Sequence, residues 1–414
     1  MTSTVPSAGQ SRFGYHRLTT LDECARKYGL RYGMRLLSHR DPDAPALFLE
    51  HRLPAFTRPP LAARDPALLM YTSGTTGTPK GALLSHANLV AGARSVSQWH
   101  GLGPGDRVLS ALPLYHINGQ CIATLSTLHS GGAIVLPHRF SVHAWWELVE
   151  RYQVTWINMV PTIIAYLLNA AAPGPGRRYP GVRFGRSASA PLPPEQHQAF
   201  ELMFGIPVIE AMGMTESASP VFANPQAQVR RKYGSPGVPC GVEAKVVDAK
   251  GRELPAGEAG EILLRGANVM QRYYKAPELT AQTIDRGGWL RTGDLGYRDA
   301  DGYYFITARL KELIIKGGEN IAPREIDEAL LKHPAVLEAA AVGIPDPEYG
   351  QEILACVVLK PGKRCSEAEL RAFCLLELGK YKTPKRIRLL EELPKGPSGK
   401  VQRLKLASVA DGTG

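Results

Sequence analysis

The chain has 414 residues, of which 44% are hydrophobic and 21% charged. That profile leaves room for two or three domains with their own cores and requires neither disulfides nor a structural metal. Its 42 glycines and 33 prolines make it rich in turns but short of low-complexity composition, which excludes fibrous and largely disordered readings. The formal charge of +11 favours anionic partners, whether nucleotides, CoA, nucleic acid or a membrane surface, without choosing among them.

Met1 to about residue 14 is small, polar and without periodicity, so it reads as a flexible start, and it lacks the apolar stretch of a secretory signal. From Asp65 to about Met212, apolar runs alternate with amphipathic stretches. Leu68–Tyr71 reads as a strand, Ala82–Ser85 follows a glycine loop, and His86–His100 reads as a helix. Strand Val108–Leu112, helix Asn118–His129 and strand Ala133–Leu136 follow. Ser141 caps a helix containing Ala144–Tyr152, and Trp156–Val160 is the next strand. Pro161 suits the first turn of a helix running to about Ala170. Val182–Gly185 and Val208–Ala211 flank one more helix. Repeated strand and helix units predict a parallel sheet with helices on its faces.

The apolar stretch from Thr155 to Ala172 is broken by Asn158, Pro161 and Asn169, so no integral membrane segment is expected. Near Gly234 the pattern changes to short alternating runs, Ala244–Val247 and Gly260–Leu264, which suggest a small antiparallel region. From Lys311 onward it is α+β. A strand is read at Glu312–Lys316, a helix after Pro323, strands near Ala339–Val342 and Leu354–Leu359, and a helix near Glu367–Leu378. The fold expected is α/β, with a short N-terminal segment (1–64), a large domain (65–308) and a small mobile α+β C-terminal domain (309–414). Six dispersed cysteines (Cys24, Cys121, Cys240, Cys356, Cys365, Cys374) include no C-x-x-C pair, which argues against a disulfide framework or zinc knuckle and for a reducing cytoplasm.

The most informative stretch is Tyr71-Thr-Ser-Gly-Thr-Thr-Gly-Thr-Pro-Lys-Gly81. Its glycines let backbone amides approach an anion, its hydroxyls add donors, and Lys80 supplies a mobile charge. The spacing does not fit the Walker A pattern. Runs of this composition also serve as linkers, but this one stands between two apolar strands, where linkers are uncommon.

This loop resembles the phosphate loop of the adenylate-forming (AMP-binding) superfamily, which includes acyl-CoA synthetases, carrier-loading adenylation domains and beetle luciferases. Further segments follow in the order of that family: Pro113-Leu-Tyr-His-Ile-Asn-Gly119, Gly213-Met-Thr-Glu216, Arg291-Thr-Gly-Asp294, the hinge-like run Ala308–Ile326, and Pro397-Ser-Gly-Lys400. The resemblance covers roughly residue 65 to the C-terminus. It implies an ATP-dependent carboxylic acid–CoA ligase that forms an acyl-adenylate and pyrophosphate, then transfers the acyl group to CoA. Catalysis of this kind is mostly positioning plus neutralisation of charge.

By the resemblance, Thr72, Ser73, Gly74, Thr75, Thr76 and Gly77 grip the β- and γ-phosphates together with Lys80. Thr215 contacts the α-phosphate and Glu216 holds Mg²⁺; a solvated turn or helix cap is the alternative for both. Asp294 accepts hydrogen bonds from the ribose hydroxyls, and Arg309 touches the same sugar. Ser189 and Ala190 pass near adenine and the acyl chain, as do Glu210, Ala211, Met212 and Gly213. Lys400 is the lysine whose ammonium offsets negative charge during adenylation. His116 is either a gating group beside the acyl pocket or a structural histidine. Lys311 is the hinge, and Gly317 and Gly318 let a thiol arm pass close to backbone. The tryptophans Trp145, Trp146 and Trp156 read as packing.

The chain departs from the family at four places. Met212 stands where an aromatic usually stacks on adenine, though a polarizable thioether can cover a purine. Ala188 replaces a frequent glycine in the acyl pocket, and Ala308 replaces the glycine before Arg309. Met1–Arg64 is short for the family, so the first sheet is expected to be incomplete. A displaced start, a remnant, or another chain completing the fold each explains that. Lys380–Arg388, with five basic residues in nine, reads as a solvated loop and edge strand in preference to a CoA phosphate site. No nucleic-acid motif appears. The reading kept beside CoA is a carrier-protein pantetheine as acceptor; the one from another class is a non-catalytic or partner-dependent subunit. The Tyr115–Cys121 stretch is loosely similar to the carnitine/crotonobetaine–CoA ligase branch, which leans the substrate towards small or medium acids.

Overall fold

A computed structural model describes residues 60–72, 79–170, 178–227, 230–395 and 401–409. The element order follows the apolar pattern closely. Strands β1 (Pro66–Thr72) and β2 (Lys80–Ser85) form an antiparallel pair in which Thr72 faces Lys80 across the phosphate loop. Helix α1 (His86–Trp99) starts at Ser85, whose hydroxyl accepts from the Asn88 amide while the Asn88 side chain returns to the Ser85 amide. This reciprocal cap satisfies two orphan donors.

The large sheet is built by β3 (Arg107–Ser110), β4 (Ala133–Val135), β5 (Trp156–Met159), β6 (Phe184–Ser187), β7 (Val208–Met214), β8 (Ser219–Ala223) and β9 (Val238–Pro239). Their spatial order is β4-β3-β5-β6-β7-β8-β9. The first five are parallel and the last two antiparallel. The chain leaves β3 towards β4 and then crosses back to β5. The order therefore reverses between β3 and β5, and the carboxyl ends of those strands open a crevice.

Alternation along the strands sends residues to two faces. One face carries Leu109, Ile157, Met159 and Val208 under α3 (Val142–Arg151), α4 (Pro161–Asn169) and α5 (Pro194–Phe204). Trp145, Trp146 and Phe204 pack there, and Trp146 stacks on Tyr179 at 4.1 Å between centroids. The other face carries Val108, Trp156, Phe184 and Ile209 beneath the helical segment 118–129. All three tryptophans are therefore packing residues, and the Ser141 hydroxyl does cap α3.

That helical segment is not uniform. Asn118–Leu125 is a π-helix that continues into the single turn α2 (Ser126–His129). The Thr124 hydroxyl donates to the Gly119 carbonyl at 2.8 Å. A Cβ on Gly119 would lie 2.5 Å from the Pro113 carbonyl oxygen, so the wide turn needs glycine there. Such π-turns occur often at functional sites.

A four-stranded antiparallel sheet follows as predicted, in the order β10 (Glu243–Val247), β11 (Gly260–Arg265), β13 (Leu290–Arg298), β14 (Tyr304–Arg309). The short β12 (Arg272–Tyr273) returns to β2, and α6 (Pro277–Thr283) follows it. After Arg309 come the hairpin β15 (Ile314–Lys316) and β16 (Glu319–Ile321), then α7 (Pro323–Leu331) and the pair β17 (Val336–Asp346) and β18 (Gly350–Leu359). Helix α8 (Glu367–Lys382), parallel edge strand β19 (Arg386–Leu389) and α9 (Leu406–Val409) close the unit. Ile314, Ile326, Leu330, Ile353, Val357 and Leu370 form its core. The basic run 380–388 is thus a helix end, a turn and an edge strand, and Lys385 pairs with Asp346 at 2.6 Å. The cysteines other than Cys24 are free thiols. Among the described residues, no helix is long and apolar enough to cross a membrane.

Candidate active site

Ser73, Gly74, Thr75, Thr76 and Gly77 lie outside the described residues, but both ends of their loop are defined. The Thr72 hydroxyl donates to the Lys80 carbonyl at 3.4 Å. The Lys80 ammonium sits 5.6 Å from the centre of the Tyr273 ring. Tyr273 reaches this position because β12 pairs with β2, placing Tyr273 opposite Ala82.

The Tyr273 hydroxyl donates to Glu216 Oε1 at 2.8 Å. Glu216 stands with Thr215 in the single 3₁₀ turn Thr215–Ser217, which closes on Ala218 in the left-handed region at φ 56°. Both Tyr273 and Glu216 are buried. Burial and the neighbouring Glu216 carboxylate push the phenol well above its usual range, so Tyr273 stays a donor and Glu216 an acceptor. Tyr273→Phe leaves Glu216 without that donor. A hydrogen bond to a charged group contributes about 1.5–3 kcal/mol, and a loss of that size is expected in urea unfolding. A variant as stable as the parent would show that the contact is not formed in solution.

Asp294 and Arg309 face each other as register partners on β13 and β14. Arg309 Nε donates to Asp294 Oδ1 at 2.7 Å, and the Asp294 amide donates to the Thr292 hydroxyl at 3.0 Å. Asp294 is only 2% exposed, and its second oxygen, Oδ2, has no partner among the described residues. A buried carboxylate oxygen without a donor is costly, and it leaves a place for a hydroxyl. The Asp294 carboxylate, with lesser help from Glu312 and Glu216, raises the Arg309 guanidinium above its usual range. Arg309 thus lies within electrostatic reach of Glu216 as well as Asp294.

At the carboxyl ends of the parallel strands, His116 Nδ1 accepts from the Asn118 amide at 3.3 Å. The Asn118 side-chain nitrogen donates to the Ser189 hydroxyl at 3.1 Å. Ser189 is held at φ 74° and is half-buried, while Ala190 beside it is exposed. Ala188 is buried against Ala211, Ala223 and Cys240. Glu210 is buried within β7, opposite Ser187 of β6; its Oε1 accepts from the Leu192 amide at 3.0 Å and burial raises its carboxyl to about 7. Ala211 is buried, and Met212 is half-buried against the cluster of Phe222 and Tyr304. Gly213 follows a bulge, and a Cβ there would meet the Ser219 carbonyl oxygen at 2.8 Å.

Lys311 is exposed just after β14, where a hinge would stand. Gly317 and Gly318 form the exposed β15–β16 turn at φ 55° and 86°. Lys400 lies outside the described residues; Lys395 and Val401, on either side of its segment, are joined by an antiparallel bridge. Among the described residues, no group of three or more His, Cys, Asp or Glu side chains forms a metal site. The donor set around Glu216 is one carboxylate without histidine or cysteine, which suits a hard cation that keeps waters and phosphate oxygens.

Two buried polar residues on these elements carry no motif. Tyr273 stands in an ordinary Arg-Tyr-Tyr sequence and is recruited only by strand pairing. Arg186 is a fully buried arginine on β6. Its one available signal is a charge within the short buried strand Phe184–Ser187.

The model of the AMP-binding enzyme family matches residues 20–274, and that of the AMP-binding enzyme C-terminal domain matches 325–400. The likeness therefore begins well before residue 65. The chain is 58% identical to the sulfoacetate–CoA ligase of Cupriavidus necator, over 94% of this chain and 75% of that protein. It is 40% identical to the oxalate–CoA ligase of Arabidopsis thaliana, over 82% of this chain and 66% of that one. It superposes with a TM-score of 0.75 on o-succinylbenzoate CoA synthetase from Bacillus subtilis bound to its acyl-adenylate intermediate, at 36% identity over 83% of this chain and 69% of that one. The chain belongs to the AMP-binding enzyme family, in its acyl-CoA synthetase branch, and is an AMP-forming acid–thiol ligase.

Proposed function

We propose that this chain joins a short carboxylic acid to CoA in two half-reactions at one site. In the first, a carboxylate oxygen attacks the α-phosphorus of ATP, the bond to the β-phosphate breaks, and pyrophosphate departs with the electron pair. In the second, the CoA thiol adds to the acyl carbonyl and loses its proton, and AMP leaves. The observation that carries this reading is the unpartnered Asp294 oxygen beside Arg309, within electrostatic reach of Glu216.

In this reading Asp294 accepts from the ribose and Arg309 orients it. Lys80, with Thr72 and the loop Ser73–Gly77, takes the β- and γ-phosphates, and Thr215 takes the α-phosphate. Glu216, oriented by Tyr273, would hold Mg²⁺, which would supply positive charge to offset that of the phosphates. Lys400 offsets charge on the attacking carboxylate and α-phosphate. Ser189, Ala190, Ala211, Met212 and Gly213 line the adenine and acyl side, with Glu210 bracing that wall and His116 at the pocket mouth. The small unit then turns about Lys311, and the Gly317–Gly318 turn admits the pantetheine arm. A short acid is supported by the names of the sulfoacetate and oxalate relatives, both two-carbon acids.

Exchange of labelled pyrophosphate into ATP tests the first step, and CoA-dependent AMP release tests the second. Exchange that requires a carboxylic acid, followed by AMP release that requires CoA, is the expected result. Folded protein that supports no exchange across a broad acid panel contradicts the proposal.

A further inference from the structure

Arg186 is 0% exposed, on β6, the strand beyond β5 from the point where the sheet order reverses. Its Nη1 donates to the side-chain oxygens of Asn118 at 3.0 Å and Asn158 at 3.2 Å. The Asn158 amide nitrogen in turn donates to Asn118 Oδ1 at 3.1 Å and to the Ser110 hydroxyl at 3.4 Å. One side of the guanidinium is thus fixed by neutral amides. The opposite edge, Nε and Nη2, has no partner among the described residues.

Those two nitrogens form the fork with which arginine binds a carboxylate or sulfonate through two parallel hydrogen bonds. Among the described residues, no carboxylate pairs with Arg186. Cys240, whose thiolate would be the compensating charge, is kept neutral by burial, which pushes its thiol up to about 11. Arg186 itself is lowered only to about 10 by burial, so it is a cation at neutral pH. Burying a charge without a counter-ion is expensive unless a ligand supplies one. The network that holds Arg186 reaches the carboxyl ends of the strands. Asn118 joins Arg186 to Ser189, which is half-buried beside exposed Ala190, and the Asn118 amide donates to His116. Ser110, Asn158 and Arg186 are the polar ends of the strand rows that begin with Val108, Trp156 and Phe184. In parallel sheets the carboxyl ends at such a reversal are where ligands bind.

We infer that Arg186 is the specificity-determining residue of the acyl pocket, and that its Nε–Nη2 edge binds a second anionic group on the acid. The substrate class is then a short carboxylate that carries a further carboxylate or sulfonate. This rests on the adenylation reading above.

The test compares acid-dependent pyrophosphate exchange by the parent chain, Arg186→Met and Arg186→Lys, using sulfoacetate and malonate against acetate and propionate. The parent is expected to favour the doubly charged acids. Arg186→Met is expected to lose about 100-fold in kcat/KM for them, the size of two charge-assisted hydrogen bonds, while acetate is unchanged or improved. Arg186→Lys keeps the charge without the fork and is expected to fall between. Equal losses on both acid classes would show a scaffold residue, and a parent preference for uncharged chains would equally overturn the inference. Equilibrium binding of sulfoacetate to the full chain, read by calorimetry without ATP, separates this inference from the reading it rests on. Binding that weakens in both variants supports the Arg186 site even if no acid supports exchange, whereas binding indifferent to Arg186 overturns it.

Discussion

Replacing Lys400 with alanine is expected to slow adenylation by about 10²–10³-fold, the range measured when one preorganised donor to a developing charge is removed. The reacting carboxylate and the α-phosphate are both anions, and their approach concentrates negative charge. In the proposed reading the Lys400 ammonium relieves that charge only while the bond forms. The second half-reaction begins from a neutral acyl carbonyl and has no such need. Preformed acyl-adenylate offered with CoA is therefore expected to be consumed by Lys400→Ala within about threefold of the parent rate. Equal loss in both half-reactions, or an unimpaired first one, contradicts the role assigned to Lys400.

Asp294→Ala is the second variant with a large expected effect. It removes the acceptor proposed for the ribose and leaves the Arg309 guanidinium without the carboxylate that receives its Nε at 2.7 Å. One to two charged hydrogen bonds correspond to about 10–100-fold in affinity. The expected signature is a rise of that size in the KM for ATP, with the KM for the acid nearly unchanged. A purely structural role would lower the folded fraction and leave both KM values alone. Asp294→Asn keeps the shape but loses the charge that raises Arg309, and an intermediate KM is expected of it.

Much of the fold was legible because burial writes a pattern into the chain. Strands β3, β5 and β7 sit where short apolar runs announced them. The boundaries moved where local chemistry intervened. The strand read through Leu112 stops at Ser110, because Leu112 and Pro113 belong to the turn that packs on Gly119. The helix read to Leu378 continues to Lys382 through a kink at Gly379, φ 72°. The helix predicted at 118–129 is helical, but its π-turn depends on the close approach of Gly119 to a distant carbonyl, which periodicity does not encode.

The site divides in the same way. Thr215, Glu216, Asp294 and Arg309 stand in motifs whose residue types suit the tasks proposed for them, and strand register joins Asp294 to Arg309. Tyr273 lies 57 residues from Glu216, and only the return of β12 to β2 brings the two together. Arg186, Asn118 and Asn158 come from three separate segments, so their network has no linear signature. The lean towards the carnitine/crotonobetaine branch speaks only to the size of the acid. It carries nothing on a second anionic group, because Arg186, on which that proposal rests, is buried within a strand rather than set in a motif.

The central claim is that one oxygen of the acid becomes bonded to the α-phosphorus. Incubating the chain with ATP, CoA and an acid labelled with oxygen-18 in its carboxylate reads this directly by mass spectrometry of the nucleotide. Attack at the α-phosphorus followed by thiol transfer leaves one labelled oxygen in AMP and none in pyrophosphate. Label in inorganic phosphate with ADP as the nucleotide product, or AMP without label, would contradict it.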